Sequence, residues 1–185
     1  TCALPIYGKT AATHTVNADG SLTWKNATAE TQRIGNAMAK TDIGLKALSN
    51  LENSKAQVTM KIDTKNVIVE TNGATRMGFT QPTAIDKNNN ITKTTITIYE
   101  KGIEKLSTIS TENKSTTIIK NGTYINLANY SMEEKIGATT THEAAHVTDK
   151  NSSSHYNPNA SQKELERLPN ANQEIYYKQI DEKKR

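Results

Sequence analysis

The sequence predicts an α+β domain, and three observations carry that prediction. Apolar residues recur at spacings of three and four from about residue 27 to 53 and again after residue 131. Between those stretches they alternate with polar residues at period two, in segments rich in β-branched side chains. A Ser-x-x-Glu capping signal opens each of the two late helical stretches, at Ser131 and Ser161. A chain of 185 residues is enough for one domain with a real core. That core is modest: hydrophobic residues are 34% and aromatics 5%, while Thr and Asn make up about a quarter of the chain and favour strands and turns.

In chain order, residues 1–26 show no clear period, carry Pro5, Gly8 and the turn-like Asn17-Ala18-Asp19-Gly20, and read as a leader that packs only in part, with Trp24 as its anchor. Residues 27–185 form the domain. Ile34, Ala37, Met38, Thr41, Leu45, Leu48 and Leu51 trace the stripe of an N-terminal amphipathic helix, whose continuity Gly35 and Gly44 weaken. From about 56 to 127 a mainly antiparallel sheet is predicted. Val58, Met60 and Ile62 alternate with polar residues, as do Ile96 and Ile98; Asp86 to Asn90 is a polar loop; and Asn121-Gly122 between Ile118-Ile119 and Tyr124-Ile125 is a hairpin signal. Ser131 then caps a helix carrying Ile136, Thr140 and Val147, whose Gly137 and β-branched Thr139–Thr141 run must be held by packing rather than propensity. A loop follows, "KNSSSHYNPNA". The helix opened at Ser161 is interrupted at Pro169, and a terminal helix restarts at Asn170.

Charge excludes some functions. The net charge is +4 and the pI near 9, but the basic and acidic residues are interspersed rather than gathered into a stripe. The balance reads as solvation, not as a nucleic-acid surface. No apolar run approaches the length of a membrane span. Cys2 stands alone, so the fold has no internal disulfide.

Within the Ser131 helix stands "TTTHEAAHVTD", residues 139–149. Half of the four histidines of the chain fall within these residues. Residues four apart leave one face of a helix about 6 Å apart along its axis, so His142 and His146 can share one tetrahedral metal ion. Glu143 lies about 100° round from His142, near enough to reach a water on that metal but poorly placed to be a ligand beside the two rings. This is the arrangement that metal-assisted hydrolysis needs, with Glu143 as general base and zinc as the cofactor.

A catalytic zinc takes a third protein ligand and keeps a fourth position open. The pattern with a glycine and a third histidine further along the same strip is excluded, because Asp149 and Ser152 occupy those positions. Glu166, Glu164, Glu174 and His155 remain. Glu164 has a local job in the second capping box; Glu166 has none and lies 20 residues after His146, far enough for a second helix to turn back on the first. Asp149, seven residues after His142, shares the histidines' face and is a candidate for holding a ligand ring from outside. Tyr156, Tyr176 and Tyr177 are candidate oxyanion stabilisers.

His142-Glu143-x-x-His146 followed by Glu166-Arg167-Leu168-Pro169-Asn170 resembles the zincin metallopeptidases of the Glu-ligand class. It is similar in particular to the small metallopeptidase domains at the C-terminal ends of bacterial RHS-repeat and other polymorphic toxin proteins. The resemblance is strongest over about 139 to 180. It implies a zincin-like domain that hydrolyses peptide bonds in a protein or peptide substrate, with zinc held by His142, His146 and Glu166. It also implies secretion, or delivery to another cell, as part of a larger carrier polypeptide. The rival reading, supported by the Thr- and Asn-rich sheet and few aromatics, is a non-catalytic binding or structural module of a surface or secreted protein that keeps the metal site.

Overall fold

The structure is a computed structural model, and it describes residues 4–5, 11–112, 117–119, 123–154 and 156–185. The fold is α+β, as predicted, and four of the five strand pairings are antiparallel. Strands β1 (Leu4–Pro5), β2 (Ala11–Val16) and β3 (Leu22–Lys25) form one small sheet. Gly20, with φ at +81°, closes the β2–β3 turn as the Asp-Gly signal requires.

This first segment packs more closely than a loose leader would. Ala12 is fully buried in the main core, and His14 Nδ1 lies 2.5 Å from Glu52 Oε1. Trp24 is the anchor that the sequence suggests: its indole N–H donates to Asn36 and its ring covers Gly35 so closely that a Cβ there would overlap it.

The predicted N-terminal helix is two helices, α1 (Ala29–Met38) and α2 (Asp42–Asn53), each capped by a threonine, Thr28 and Thr41. Neither glycine makes the break. Gly35 admits the Trp24 ring, and Gly44 admits the carbonyl of Met38 where the chain turns between the helices.

The central sheet has the order β4 (Gln57–Asp63), β6 (Ile91–Tyr99), β5 (Gly78–Ile85). β6 pairs in parallel with β4 and antiparallel with β5. Its Ile96 and Ile98 are fully buried, as expected of a central strand. β5 forms one edge, and Pro82 within it is tolerated because an edge position needs no N–H. Between β4 and β5 the chain makes a short turn-back, bridged at Val69 and Thr75.

A helix interrupts the mainly antiparallel sheet expected over about 56–127: α3 (Glu100–Glu112) follows β6 directly. Its Ile103 is fully buried and Leu106 packs on the second core cluster, so tertiary burial overrides the β-branched composition of "STIST". β7 (Thr117–Ile119) and β8 (Thr123–Ile125) form the predicted antiparallel pair, while Asn121 and Gly122 lie outside the described residues.

Helix α4 (Met132–Thr148) runs through the middle of the molecule. It packs against α1, α2 and α6 on one side and against β5 and β6 on the other. Eleven of its 17 residues are buried, Thr139, Thr140 and Thr141 among them. Thr140 and Thr141 donate their hydroxyls to carbonyls one turn back, which satisfies them without water. Packing therefore holds this helix despite weak propensity. The short α5 (Gln162–Leu165) ends before Glu166, and α6 (Arg167–Lys183) begins directly after it. Pro169 does not interrupt a helix; it sits in the first turn of α6, where its missing N–H has no partner to lose.

Candidate metal centre

The two histidines and Glu166 come together because α4 and α6 run antiparallel. The Tyr176 hydroxyl on α6 crowds Gly137 near the start of α4, and Glu166 at the other end of α6 faces His142. The capping box at Ser131 and Glu134 fixes where α4 begins, and hence which face His142 and His146 present.

The ring nitrogens His142 Nε2 and His146 Nε2 are 3.4 Å apart. Glu166 Oε2 is 3.2 Å from His142 Nε2, and Oε1 is 3.9 Å from His146 Nε2. Ligands bonded at about 2.0–2.1 Å to a tetrahedral ion stand about 3.3 Å from one another along its edges. Two of the three separations, 3.4 Å and 3.2 Å, match those edges and the third is longer; the three residues form the one such group among the described residues that can hold a metal ion.

The protonation of His146 follows from its other nitrogen. Nδ1 lies 2.6 Å from the carbonyl oxygen of Ser152, which can only accept, so Nδ1 carries the proton and Nε2 turns a bare lone pair toward the cluster. His142 Nε2, 3.4 Å away, donates to that lone pair when it carries a proton and converges with it on a cation when it does not. Ser152 is held there by Asp149. Its carbonyl accepts from the Ser152 N–H and its carboxylate accepts from the Asn151 N–H, shaping a 3-10 turn over residues 150–152. Asp149 thus does not hold a ring itself, as the sequence spacing suggested; its carboxylate shapes the turn whose carbonyl does.

Glu143 is 6% exposed and sits one residue beyond His142, beside β5. The Thr80 hydroxyl lies 2.8 Å from its Oε2 and 2.9 Å from its main-chain oxygen, and can donate its one proton to either. Gly78 lets the strand come this close, since a Cβ there would be 2.9 Å from Glu143 Cγ and Oε1 and 2.7 Å from Thr139 Cγ2. A cleft of about 830 Å³ opens at this point, with β5 and the turn-back before it on one wall and His142, Glu143, His146 and Glu166 on the other.

Sequence reasoning missed Thr80, Gly78 and Gln162. The last of these donates from Nε2 to Glu166 Oε1 at 2.7 Å. A glycine and a proline four apart in a β-rich stretch were the only local sign that residues 78–82 were unusual.

Other candidates stand elsewhere. Glu164 is exposed and closes the capping box with Ser161, whose hydrogen bonds hold its carboxyl below the usual carboxylate range. Glu174 pairs with Lys178 on α6 and does not line the cleft. His155 lies outside the described residues. None of the three candidate tyrosines lines the cleft. Tyr176 is fully buried and donates to Ala37, Tyr177 is buried in the second core against Tyr130, and the Tyr156 hydroxyl accepts from the Ile91 N–H. Burial pushes the phenols of Tyr176 and Tyr177 well above their ordinary range.

No protein-family model, curated protein or solved structure matches the chain.

Proposed function

We propose that this chain is a zinc metallopeptidase, with the ion held by His142, His146 and Glu166 and with Glu143 as the general base. Two imidazoles and one carboxylate suit zinc, and such a set leaves a fourth position open. The observation that carries the reading is the placing of a buried carboxylate, Glu143, beside this cluster and along the edge of β5. Zinc bound there supplies Lewis-acid polarisation of a carbonyl and a water acidic enough to lose its proton near neutral pH. Glu143 accepts that proton and returns it to the leaving amine, and Thr80 keeps its carboxylate turned toward the cleft.

The strand edge favours a peptide as substrate. Met77 accepts from the Tyr99 N–H, so by antiparallel alternation Phe79 and Gln81 also turn their main-chain groups toward β6. Gly78 and Thr80 turn theirs outward, where an extended peptide can pair with them. Pairing ends at Pro82, which has no N–H.

Two variants test the reading. Glu143→Gln should keep zinc and lose about 10²- to 10⁴-fold in peptide hydrolysis, whereas His142→Ala should lose both. Cleavage of a cell proteome that is unchanged in Glu143→Gln would refute the assignment. Zinc retained with no cleavage by the wild type would favour the non-catalytic binding module instead.

The resemblance extends the proposal to an effector delivered, as part of a larger carrier, into another cell. Expression in a recipient bacterial or eukaryotic cytosol is then harmful for the wild type and harmless for Glu143→Gln. Equal growth in every host would remove that extension while leaving the chemistry intact.

A further inference from the structure

Glu166 is restrained from outside the cluster. It stands at the junction of α5 and α6, and one turn before it Gln162 reaches back with its amide, 2.7 Å from Oε1. A carboxylate offers only acceptors, so it is the N–H of Gln162 that faces it. The Ser161–Glu164 capping box fixes the turn on which both residues stand, and Gln162 itself lines the cleft. Oε1, engaged in this way, lies 3.9 Å from His146 Nε2, and Oε2 is the nearer oxygen to the cluster, 3.2 Å from His142 Nε2.

We propose that Gln162 is a positioning residue that makes Glu166 a one-oxygen ligand. The inference rests on the metal reading above and adds to it. A carboxylate that swings both oxygens onto the ion takes up the position that a water or a substrate carbonyl needs. An amide that engages one oxygen prevents that swing and keeps the site at three protein ligands and one open position. Gln162 is exposed, so its hydrogen bond exchanges with water and contributes modestly to affinity. Its larger effect is on how many ligand atoms the ion has.

Cobalt(II) alone, loaded in place of zinc, reads this directly, because four-coordinate cobalt absorbs visible light several-fold more strongly than five-coordinate cobalt. Wild type and Gln162→Lys, which retains an N–H donor, should give the strong spectrum. Gln162→Ala and Gln162→Met should give the weaker one, and their zinc dissociation constants should rise about 10-fold in competition with a chromogenic chelator. Thermal unfolding of the metal-free proteins separates a merely structural role. Ala and Met variants that lose stability yet keep the wild-type cobalt spectrum overturn the proposal. A wild type that binds neither cobalt nor zinc overturns the metal reading, and this inference with it; a wild type that binds both, with spectra indifferent to residue 162, overturns this inference alone.

Discussion

Thr80 and Gly78 set where the Glu143 carboxylate sits, and neither belongs to the group formed by His142, His146 and Glu166. Thr80→Val removes the donor beside a carboxylate that is 6% exposed. It should cost about 1–3 kcal/mol of stability and lower peptide hydrolysis with zinc content unchanged, and Thr80→Ser should restore both. Gly78→Ala puts a methyl group where Glu143 Cγ and Thr139 Cγ2 already stand, so it should lower turnover by displacing the carboxylate, again with zinc retained. Metal analysis beside a peptide assay checks both variants; zinc loss in either would mean that β5 supports the cluster itself. His142, Glu143 and His146 were legible in the sequence because one helical turn places all three. Glu166 was legible only as one of four candidates, since the register of α4 against α6, set by contacts such as Tyr176 on Gly137, selects it. Thr80 lies 63 residues from Glu143 and nothing local to it marks its partner.

At the scale of the element, α4 depends on its first turn and on its close approach to α6. Burial pushes the Glu134 carboxyl up, but the Ser131 N–H and Lys184 outweigh this and hold it below the ordinary carboxylate range. A carboxyl depressed in the folded state adds stability above its unfolded value and loses it as pH falls through its folded value. Urea unfolding should therefore show Glu134→Gln clearly less stable than wild type at neutral pH, with the gap closing in acid below the usual carboxylate range. A gap that stays constant with pH would assign the effect to packing. Gly137→Ala should destabilise by about 1–3 kcal/mol, because the new methyl overlaps the Tyr176 hydroxyl and the Ala37 carbonyl to which it donates. The gain in helix propensity, about 1 kcal/mol at most, does not offset that. The two capping boxes were legible because four consecutive residues define each one. α3 was not, since Thr- and Ile-rich composition favours strand and only the burial of Ile103 against distant residues decides for helix. The parallel pairing of β4 with β6 was equally hidden, being fixed by a crossover that carries β5.

For the whole molecule, the proposed peptidase chemistry makes the cleft's charge and lining the determinants of which peptides it would take. Glu70, Glu143 and Glu166 are its carboxylates and Arg76 its one basic side chain among the described residues, so a bound divalent ion leaves the cleft without net formal charge. Arg76 is already paired with Glu70, and its guanidinium covers the Phe79 ring at 4.0 Å, masking the aromatic surface of the cleft. Met77 packs on both core clusters and Leu165 is buried, which withdraws part of their surface, while Ala74, Phe79 and Pro82 still line the cleft. The uncharged polar part of the wall includes Thr71, Asn72, Gln81, Ser154 and Gln173. Such a site gains from hydrogen bonds to the substrate and leaves its own polar groups unpaired against an apolar one, which raises discrimination beyond what a missing methylene achieves. If the metallopeptidase reading holds, peptides with Ser, Thr, Asn or Gln beside the scissile bond should be cut at least about 10-fold faster than matched peptides with Leu or Phe there. Charged residues at those positions should confer no advantage, because among the described residues the cleft's one basic side chain, Arg76, is already paired with Glu70. Profiling a peptide library with the wild type, against Glu143→Gln as the blank, checks this. A preference for Leu or Phe would mean that Arg76 leaves the Phe79 ring when substrate enters, and that the turn-back carrying Glu70 and Arg76 is a moving wall rather than a fixed one.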